Sequence, residues 1–537
     1  MSWKTDVQAP TVSGAYAPPA AAPQPSSGTR WWSGIGARLF VTVYIVYLLH
    51  FATNVVRETY LAISLGERFS VRVDEYLGLH PDLFEIEGRG SYINSNPGAS
   101  MLGAIPYAVA SPFISAVLRA NPELSRPKPP GEYDDPRPNR TRFMNEARAR
   151  GLDVKLALAA AVMHAGLMVP LGALAAVFVF SYFGARLRDD RLALGIALLY
   201  AFATPIFFRS AFLNQNAILA HCALFAYLAL VGGRPRGIAS DDQDALPTDR
   251  GLFAAGALLG IGVLSDYSGV PLVLAFGVWI LVRGWRASGA AGAVRAGLVF
   301  SAGGLGPLAL LLAYQWAAFG NPLFPAQRYM PATRYSVAGW NGMTLPTADL
   351  LWRNLFDPRF GLFAWCPLLL LGLAAPFVRR DHTSPPRGAL GLIFGAAAAL
   401  WLFNSANQFA NLQWNTGVRY MVPAGALLFF AAIPVLRRLP RALSAAFIVG
   451  SVVISWSTAM ARESIPLSLA RIFTGGFELP WLEVLEKTAG TYAPFLAQGS
   501  SAIPLFVLTG AVLWLLWRRA PLESRLSSAL SAGARSP

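Results

Sequence analysis

Charged residues are scarce in this sequence. They make up 14% of its 537 residues, whereas hydrophobic residues make up 54%. A soluble protein of this length carries far more charge. The apolar residues gather into runs of about 16 to 29 residues, long enough to cross a bilayer as helices. We therefore predict an all-α membrane protein with about 12 transmembrane helices, because a helix satisfies its own backbone polar groups inside a membrane.

Cysteine and histidine are scarce as well. The two cysteines, Cys222 and Cys366, lie in or beside apolar runs, which excludes a disulfide framework and a thiolate metal cage. The five histidines are scattered, with no pair at ligand spacing and no HExxH motif, so a histidine-built zinc site is not expected. The plentiful loop acids would suit a divalent cation, whose ligands the sequence leaves unknown.

The formal net charge of +15 does not indicate nucleic-acid binding. Many arginines stand in short connections between apolar runs, where basic residues hold loops on the cytoplasmic side of a membrane. No arginine-rich helix or aromatic-basic ladder stands outside the apolar runs. The expected partners are membrane lipids, without nucleic acid.

Three regions are predicted along the chain. Residues 1–38 are rich in Pro, Ala and Ser and should form a disordered cytoplasmic tail. Residues 39–460 form a transmembrane module with a large first external loop, 57–154, that carries interfacial helices. Residues 461–537 hold an external segment, the last transmembrane helix and a cytoplasmic tail. The predicted spans are 39–56, 155–183, 192–208, 216–233, 251–266, 268–284, 295–317, 361–378, 388–405, 421–436, 441–459 and 502–517.

The topology depends on one moderately apolar segment in the first loop, residues 98–119. If it spans, the basic loops at 186–191 and 232–237 fall outside, against the positive-inside preference. If it lies along the interface, these loops and all later short arginine-containing loops fall inside. We therefore predict an interfacial segment and cytoplasmic termini.

The first loop concentrates acids and arginines. A carboxylate here could act as a base on an acceptor hydroxyl or amine, while arginines neutralise a phosphate-bearing donor. A solvated loop surface is the simpler explanation for any single one of them. They are Arg57, Glu58, Glu67, Arg68, Arg72, Asp74, Glu75, Asp82, Glu85, Glu87 and Arg89.

Other candidate substrate-binding residues stand at turns. The segment SYINSNPG contains Tyr92, Asn94 and Asn96. Its asparagines could donate to a sugar or phosphate, although turn chemistry explains them more simply. Asp266, in LSDYSG, either binds a substrate near membrane depth or caps a helix end.

Two later segments place arginines beside predicted spans. In QWNTGVRYMVP, Arg419 and Tyr420 enter a span from the outside, against the usual charge preference, which favours phosphate binding. The loop 318–360 carries Arg328 among several tryptophans. Tryptophans there are typical of an interfacial aromatic belt, and neighbouring arginines could equally bind lipid phosphates.

Taken in order, these patterns resemble the GT-C class of polytopic glycosyltransferases, in the branch of protein O-mannosyltransferases and bacterial aminoarabinose transferases. The resemblance covers about residues 39–440 and rests on architecture and on VRVDEY, SYINSNPG, NPLF, NLFDPRFGLFAWCP and WNTGVRYMVP. It implies a polyprenyl-phosphate-linked sugar as donor and a first-loop acid that acts as base or positions the acceptor. Asp74 is narrowly favoured for that role, with Glu58 as the competing position.

The sequence departs from the family at one point. Many members carry a lysine just before the Pro-Gly helix start, where a cation meets the donor phosphate, but this chain has Asn94, Ser95 and Asn96. Arg89, Arg328 or Arg419 would have to replace that cation, or the chain is an inactive homologue.

The resulting functional prediction is a bacterial inner-membrane glycosyltransferase that acts at the outer face. A transporter or lipid flippase is the first alternative, but no internal repeat is evident and polar groups cluster at the outer face. A non-catalytic envelope-assembly protein is the second.

Overall fold

The computed structural model describes residues 34–131, 138–187, 189–232, 246–415, 417–489 and 501–518. The predicted disordered tail lies mostly outside these residues. In chain order the helices are α1 Ile35–Leu49, α2 Arg57–Arg68, α3 Gly98–Ala120, α4 Pro138–Ala149, α5 Asp153–Met163, α6 Val169–Leu187, α7 Asp190–Ala203, α8 Ile206–Arg209, α9 Gln215–Val231, α10 Asp249–Ser265, α11 Gly269–Phe319, α12 Ala348–Phe356, α13 Leu362–Trp365, α14 Arg387–Ala406, α15 Val422–Leu436, α16 Arg441–Ala461, α17 Ile465–Gly475, α18 Pro480–Ala489 and α19 Ile503–Trp517. The strands β1 Leu83–Ile86 and β2 Gly90–Ile93 pair as an antiparallel hairpin.

Within the described residues, five helical segments are long and apolar enough to cross a membrane. They are α3, the combined α5–α6 segment Asp153–Leu187, α11, α14 and α16. Shorter apolar helices accompany them, and α15 is buried along its whole length at the centre of the bundle. The chain is thus an all-α, multi-pass membrane protein, and the total of about 12 spans stays a prediction.

Two predicted spans, 268–284 and 295–317, fall within α11, which is folded back on itself. Ser288 and Gly289 leave the helical conformation, and Gly289 has a φ of 62°. A Cβ added at Gly284 would lie 2.6 Å from the carbonyl oxygen of Gly292, and one at Gly297 would lie 3.0 Å from Leu281. The farther two contacting residues lie from residue 289, the farther apart they are in sequence. This pattern identifies two antiparallel halves joined by a tight turn.

The short arginine-containing turns gather at one end of the bundle, which we call the basic end. Arg437 and Arg438 each lie 3.4 Å from the carboxylate of Asp381. Arg186 donates to the carbonyl of Ser384 over 3.3 Å. α14 starts and α15 ends beside the loop that contains Asp381. The opposite ends of these two helices define the other face of the bundle, which we call the loop end and which holds the first loop and Arg419. That this end faces the cytoplasm stays a prediction for the basic turns.

The first loop folds onto the loop end. Glu67, near the end of α2, accepts a 2.6 Å hydrogen bond from Tyr107 of α3 and pairs with Lys155 of α5 over 3.0 Å. At the start of α3, a Cβ on Gly98 would lie 2.6 Å from the backbone of Leu264, so only glycine permits this close approach to the end of α10.

Several local expectations differ from the structure. The first helix ends at Leu49 rather than at residue 56, and residues 367–377 of the predicted span 361–378 form a 3-10 helix because two prolines bound and interrupt it. The segment 98–119 is one helix of 23 residues, a length that suits a span as well as an interfacial helix. Its interfacial placement therefore stays a prediction.

Candidate active site

The first turn of α2 places two charged side chains at the loop end. The side chain of Glu58 is 5% exposed, and its Oε1 lies 2.9 Å from Nε of Arg57. Nη1 of Arg57 also donates a short hydrogen bond to Oδ2 of Asp82. One guanidinium therefore joins two carboxylates, and the helix N-terminus adds a favourable field for Glu58. We call Arg57, Glu58 and Asp82 the acid cluster.

The β-hairpin holds Asp82 in place. Its carbonyl accepts a 2.8 Å hydrogen bond from the backbone N–H of Asn94, and its own N–H donates to Nδ1 of His80 over 3.1 Å. Burial alone would raise the pKa of the Asp82 carboxyl. The positive charges of Arg57 and Arg419 and the hydrogen bond from Arg57 outweigh burial and hold this pKa below its usual range. Asp82 is therefore an ionised partner for Arg57.

Arg419 lies in the segment that leads into α15, and its charge acts on Asp82 of this cluster. The backbone N–H groups of Arg419 and Tyr420 both donate to Oε1 of the buried Gln413, over 3.1 and 2.9 Å. Nη2 of Arg419 donates to the Tyr420 hydroxyl over 2.8 Å, while its Nε is buried without a hydrogen-bond partner in the described structure. A fixed guanidinium with an unused buried donor suits an anionic ligand.

A second arginine, Arg209 in α8, anchors the backbone before Arg419. It is 1% exposed and donates to the carbonyls of Val418 and Gly417 over 2.6 and 2.7 Å. The charges of Arg462 and Arg419 both act on Arg209, which places three guanidinium groups in one region. Three arginines therefore lie around the segment that leads into α15.

Asp74, the narrowly favoured base, lies elsewhere. Its Oδ1 accepts from the backbone N–H of Ser91 over 2.6 Å, and its Oδ2 pairs with Arg72 over 2.7 Å. The side chain is 45% exposed and borders an open cleft of about 460 Å³ together with Arg89 and Glu85. Asp74 and Arg89 thus lie together on the outside of the hairpin, whereas Glu58 lies in the acid cluster.

The asparagine and Asp266 candidates form a turn network. Asn96 donates to the carbonyl of Val263 over 2.7 Å at the end of α10. Oδ2 of Asp266 accepts from the side-chain amides of Gln215 and Asn216, over 2.6 and 3.2 Å. Asp266 also forms the C-cap of α10, which fits its helix-end explanation, while the Asn96 contact fits the turn explanation of the asparagines.

The remaining candidates are dispersed. The Tyr92 hydroxyl donates to the carbonyl of Arg89 over 3.0 Å, and its ring packs edge-on against Phe319. Asn94 is buried, and its Oδ1 has no partner in the described residues. Arg328 is exposed on its loop. Among the described residues, no group of three or more His, Cys, Asp or Glu side chains is arranged to hold a metal ion.

Sequence reasoning named Glu58, Arg419 and Tyr420, whose roles stay predictions, but missed the residues that contact the Arg419 segment. Gln413 and Arg209 act on backbone groups of the Arg419 segment, and Arg209 is about 200 positions away from it in sequence. The only available signal for Arg209 was an arginine following an apolar run, in FFRS.

Comparisons with known proteins concern the fold. No family model and no curated protein sequence matches the chain. The chain is similar to the crystal structure of ArnT from Cupriavidus metallidurans in the apo state, with 16% identity over 91% of this chain and 75% of that chain and a TM-score of 0.44. The same protein bound to undecaprenyl phosphate gives 16% identity over 91% and 76%, with a TM-score of 0.42. ArnT is an aminoarabinose transferase.

Proposed function

We propose that this chain is a membrane glycosyltransferase that moves a sugar from a polyprenyl-phosphate donor to an acceptor at the outer face of a bacterial inner membrane. The observation that carries the proposal is a buried carboxylate, Glu58, which Arg57 holds together with Asp82, the carboxylate on which the charge of Arg419 acts. Glu58 and Arg419 supply the two functions that transfer from a phosphate carrier needs, a base for the acceptor and a cation for the leaving phosphate.

In the proposed reaction, Glu58 removes the proton from the acceptor hydroxyl or amine. The acceptor atom forms a bond to the anomeric carbon as the bond from that carbon to the carrier phosphate oxygen breaks. Arg419 stabilises the negative charge that develops on the phosphate. Attack from the face opposite the phosphate inverts the anomeric configuration, and the proton stays on Glu58 until solvent removes it.

Arg57 is assigned a positioning role. Its guanidinium contacts both Glu58 and Asp82, which fixes the orientation of the proposed base. Tyr420 contacts Arg419 through its hydroxyl group and adds a polar group beside the proposed phosphate site. Asp74 and Arg89 are left outside this mechanism because their described contacts lie in the hairpin cleft.

The donor site is tested by Arg419→Ala. Charge-assisted hydrogen bonds contribute about 1.5–3 kcal/mol each, so the affinity for undecaprenyl phosphate should fall about 10- to 100-fold. Native mass spectrometry of the purified protein titrated with undecaprenyl phosphate measures this change. Arg328→Ala, a competing candidate on an exposed loop, should keep the parental affinity. Loss of binding in Arg328→Ala together with full binding in Arg419→Ala would overturn the assignment.

A further inference from the structure

A second group of arginines lies at the loop end, away from the acid cluster. The loop between α11 and α12 and the segment after α14 enclose an open cavity of about 530 Å³. We call it the arginine cavity. Its lining residues are Arg334, Tyr335, Arg353, Arg359, Gln408 and Asn411.

Acids hold two of these arginines in fixed positions. Arg353 pairs with Asp349 and Asp357 over 2.9 and 3.0 Å and donates to Oδ1 of Asn411 over 2.8 Å. Arg359 donates to both oxygens of Asp357, over 3.1 and 2.8 Å. Burial raises the pKa of Asp357, but the hydrogen bonds from Arg359 and Arg353 hold it at about 2. Asp357 is therefore ionised at neutral pH and pre-orients both guanidinium groups.

The charges of the cavity do not balance. Three guanidinium groups face two carboxylates, which leaves one positive charge in excess, and Arg359 keeps 57% of its side chain exposed. Arg334 is exposed and lies 4.6 Å from the ring of Tyr335, its described contact partner. Tyr335, Gln408 and Asn411 add neutral polar groups. This composition suits a phosphate group, which accepts several hydrogen bonds and carries negative charge.

Large apolar side chains on the same loop and on α12 are exposed beside these arginines. They are Val337 at 67%, Trp340 at 65%, Leu345 at 84% and Trp352 at 63% exposure. Tryptophans next to arginines are typical of the headgroup level of a bilayer, where indole rings meet the interface and guanidinium groups meet lipid phosphates. The surroundings of the cavity therefore favour a lipid over a soluble anion.

We propose that the arginine cavity binds the phosphate of an anionic glycerophospholipid in the leaflet at the loop end. This site is distinct from the donor site, since its lining contains neither Arg419 nor a residue of the acid cluster. The two regions meet through Gln413, which contacts Asn354 of α12 and the backbone of Arg419. A bound lipid thus holds the loop that supports the donor-binding segment.

The test uses the full chain in nanodiscs of phosphatidylcholine with or without phosphatidylglycerol, followed by native mass spectrometry of retained lipid. The parent protein should retain phosphatidylglycerol in preference to phosphatidylcholine. Arg334→Gln and Arg359→Gln should each lower that preference about 5-fold, and the double variant about 25-fold, since each substitution removes one charge from the cavity that contacts the lipid phosphate, and such a charge contributes about that factor. Arg328→Gln, an exposed arginine on the same loop outside the cavity, should leave it unchanged.

Each other outcome overturns the proposal. Equal preference in Arg334→Gln and Arg328→Gln would show that the cavity arginines do not select lipid. If inorganic phosphate binds through these arginines while lipid preference is absent, the cavity takes a soluble anion. If the variants lose undecaprenyl phosphate instead of phosphatidylglycerol, the cavity belongs to the donor site. Because Arg334 has no described ion pair to lose, Arg334→Gln should unfold at the same temperature as Arg328→Gln and gives the test without a folding defect.

Discussion

Glu58 and Asp74 are acids of the same loop with opposite surroundings. Glu58 is buried and paired with one arginine, whereas Asp74 is about half exposed and is engaged by Arg72 and the N–H of Ser91. A base must be held in a fixed position beside the acceptor, and Arg57 fixes Glu58 in a cluster whose other acid, Asp82, is within the influence of the Arg419 charge. We therefore assign the proposed role to Glu58 in place of the narrowly favoured Asp74.

The corresponding substitutions give opposite expectations. Glu58→Gln keeps the shape of the side chain and removes its basicity, so transfer should fall about 10²- to 10⁴-fold while undecaprenyl phosphate still binds. Asp74→Asn should retain transfer within about 10-fold, because Asn keeps an acceptor oxygen for the Ser91 N–H. Initial rates of labelled-sugar transfer by purified variants measure both effects. A large loss of transfer in Asp74→Asn, with normal rates in Glu58→Gln, would identify Asp74 in the hairpin cleft as the base.

The sequence could indicate a candidate site residue where a charged side chain stands at an unusual position, directly beside an apolar run. Glu58 follows an apolar run directly, and Arg419 precedes one on the predicted outer side. The pairing of Arg57 with Asp82 and the anchoring of Val418 by Arg209 depend on tertiary contacts between distant segments. No pattern in one sequence encodes such contacts.

At the scale of elements, the folded form of α11 provides a clean test. Gly289 has φ 62° and ψ −152°, a region open essentially to glycine, and an added Cβ would meet nothing within 4 Å. Gly289→Ala should therefore lower the free energy of unfolding by about 1–3 kcal/mol through backbone strain alone. Gly306→Ala, in the second half of α11 and equally free of neighbours, should be neutral or slightly stabilising. Thermal unfolding of the two variants in detergent compares them, and equal midpoints would mean that the turn at Gly289 is not formed as described.

The long apolar helices could be predicted because each of them coincides with an apolar run in the sequence. The predicted spans 216–233, 388–405 and 421–436 differ from α9, α14 and α15 by at most two residues at each end. The β-hairpin was missed because its strands have four residues each, too short for a periodic signal. Its turn did carry one local signal, the glycines of EGRG, both of which adopt positive φ.

For the whole molecule, the polar chemistry is divided between two ends. The basic end gathers short arginine-containing turns around Asp381, while the loop end gathers the acid cluster, Arg419 and the arginine cavity. A glycosyltransferase needs its reactive groups at one membrane face, next to the carrier phosphate. A transporter needs polar groups along a path between both faces. The observed division therefore favours transfer over transport.

The most direct measurement follows a polyprenyl-phosphate-linked sugar, labelled in the sugar, in proteoliposomes that contain the purified parent protein and a membrane-derived acceptor fraction. We predict that label moves to the acceptor and that polyprenyl phosphate is released, with Glu58→Gln reducing both by at least about 100-fold. Movement of the intact labelled donor across the bilayer, without release of polyprenyl phosphate by the parent protein, would contradict the account and identify a lipid transporter.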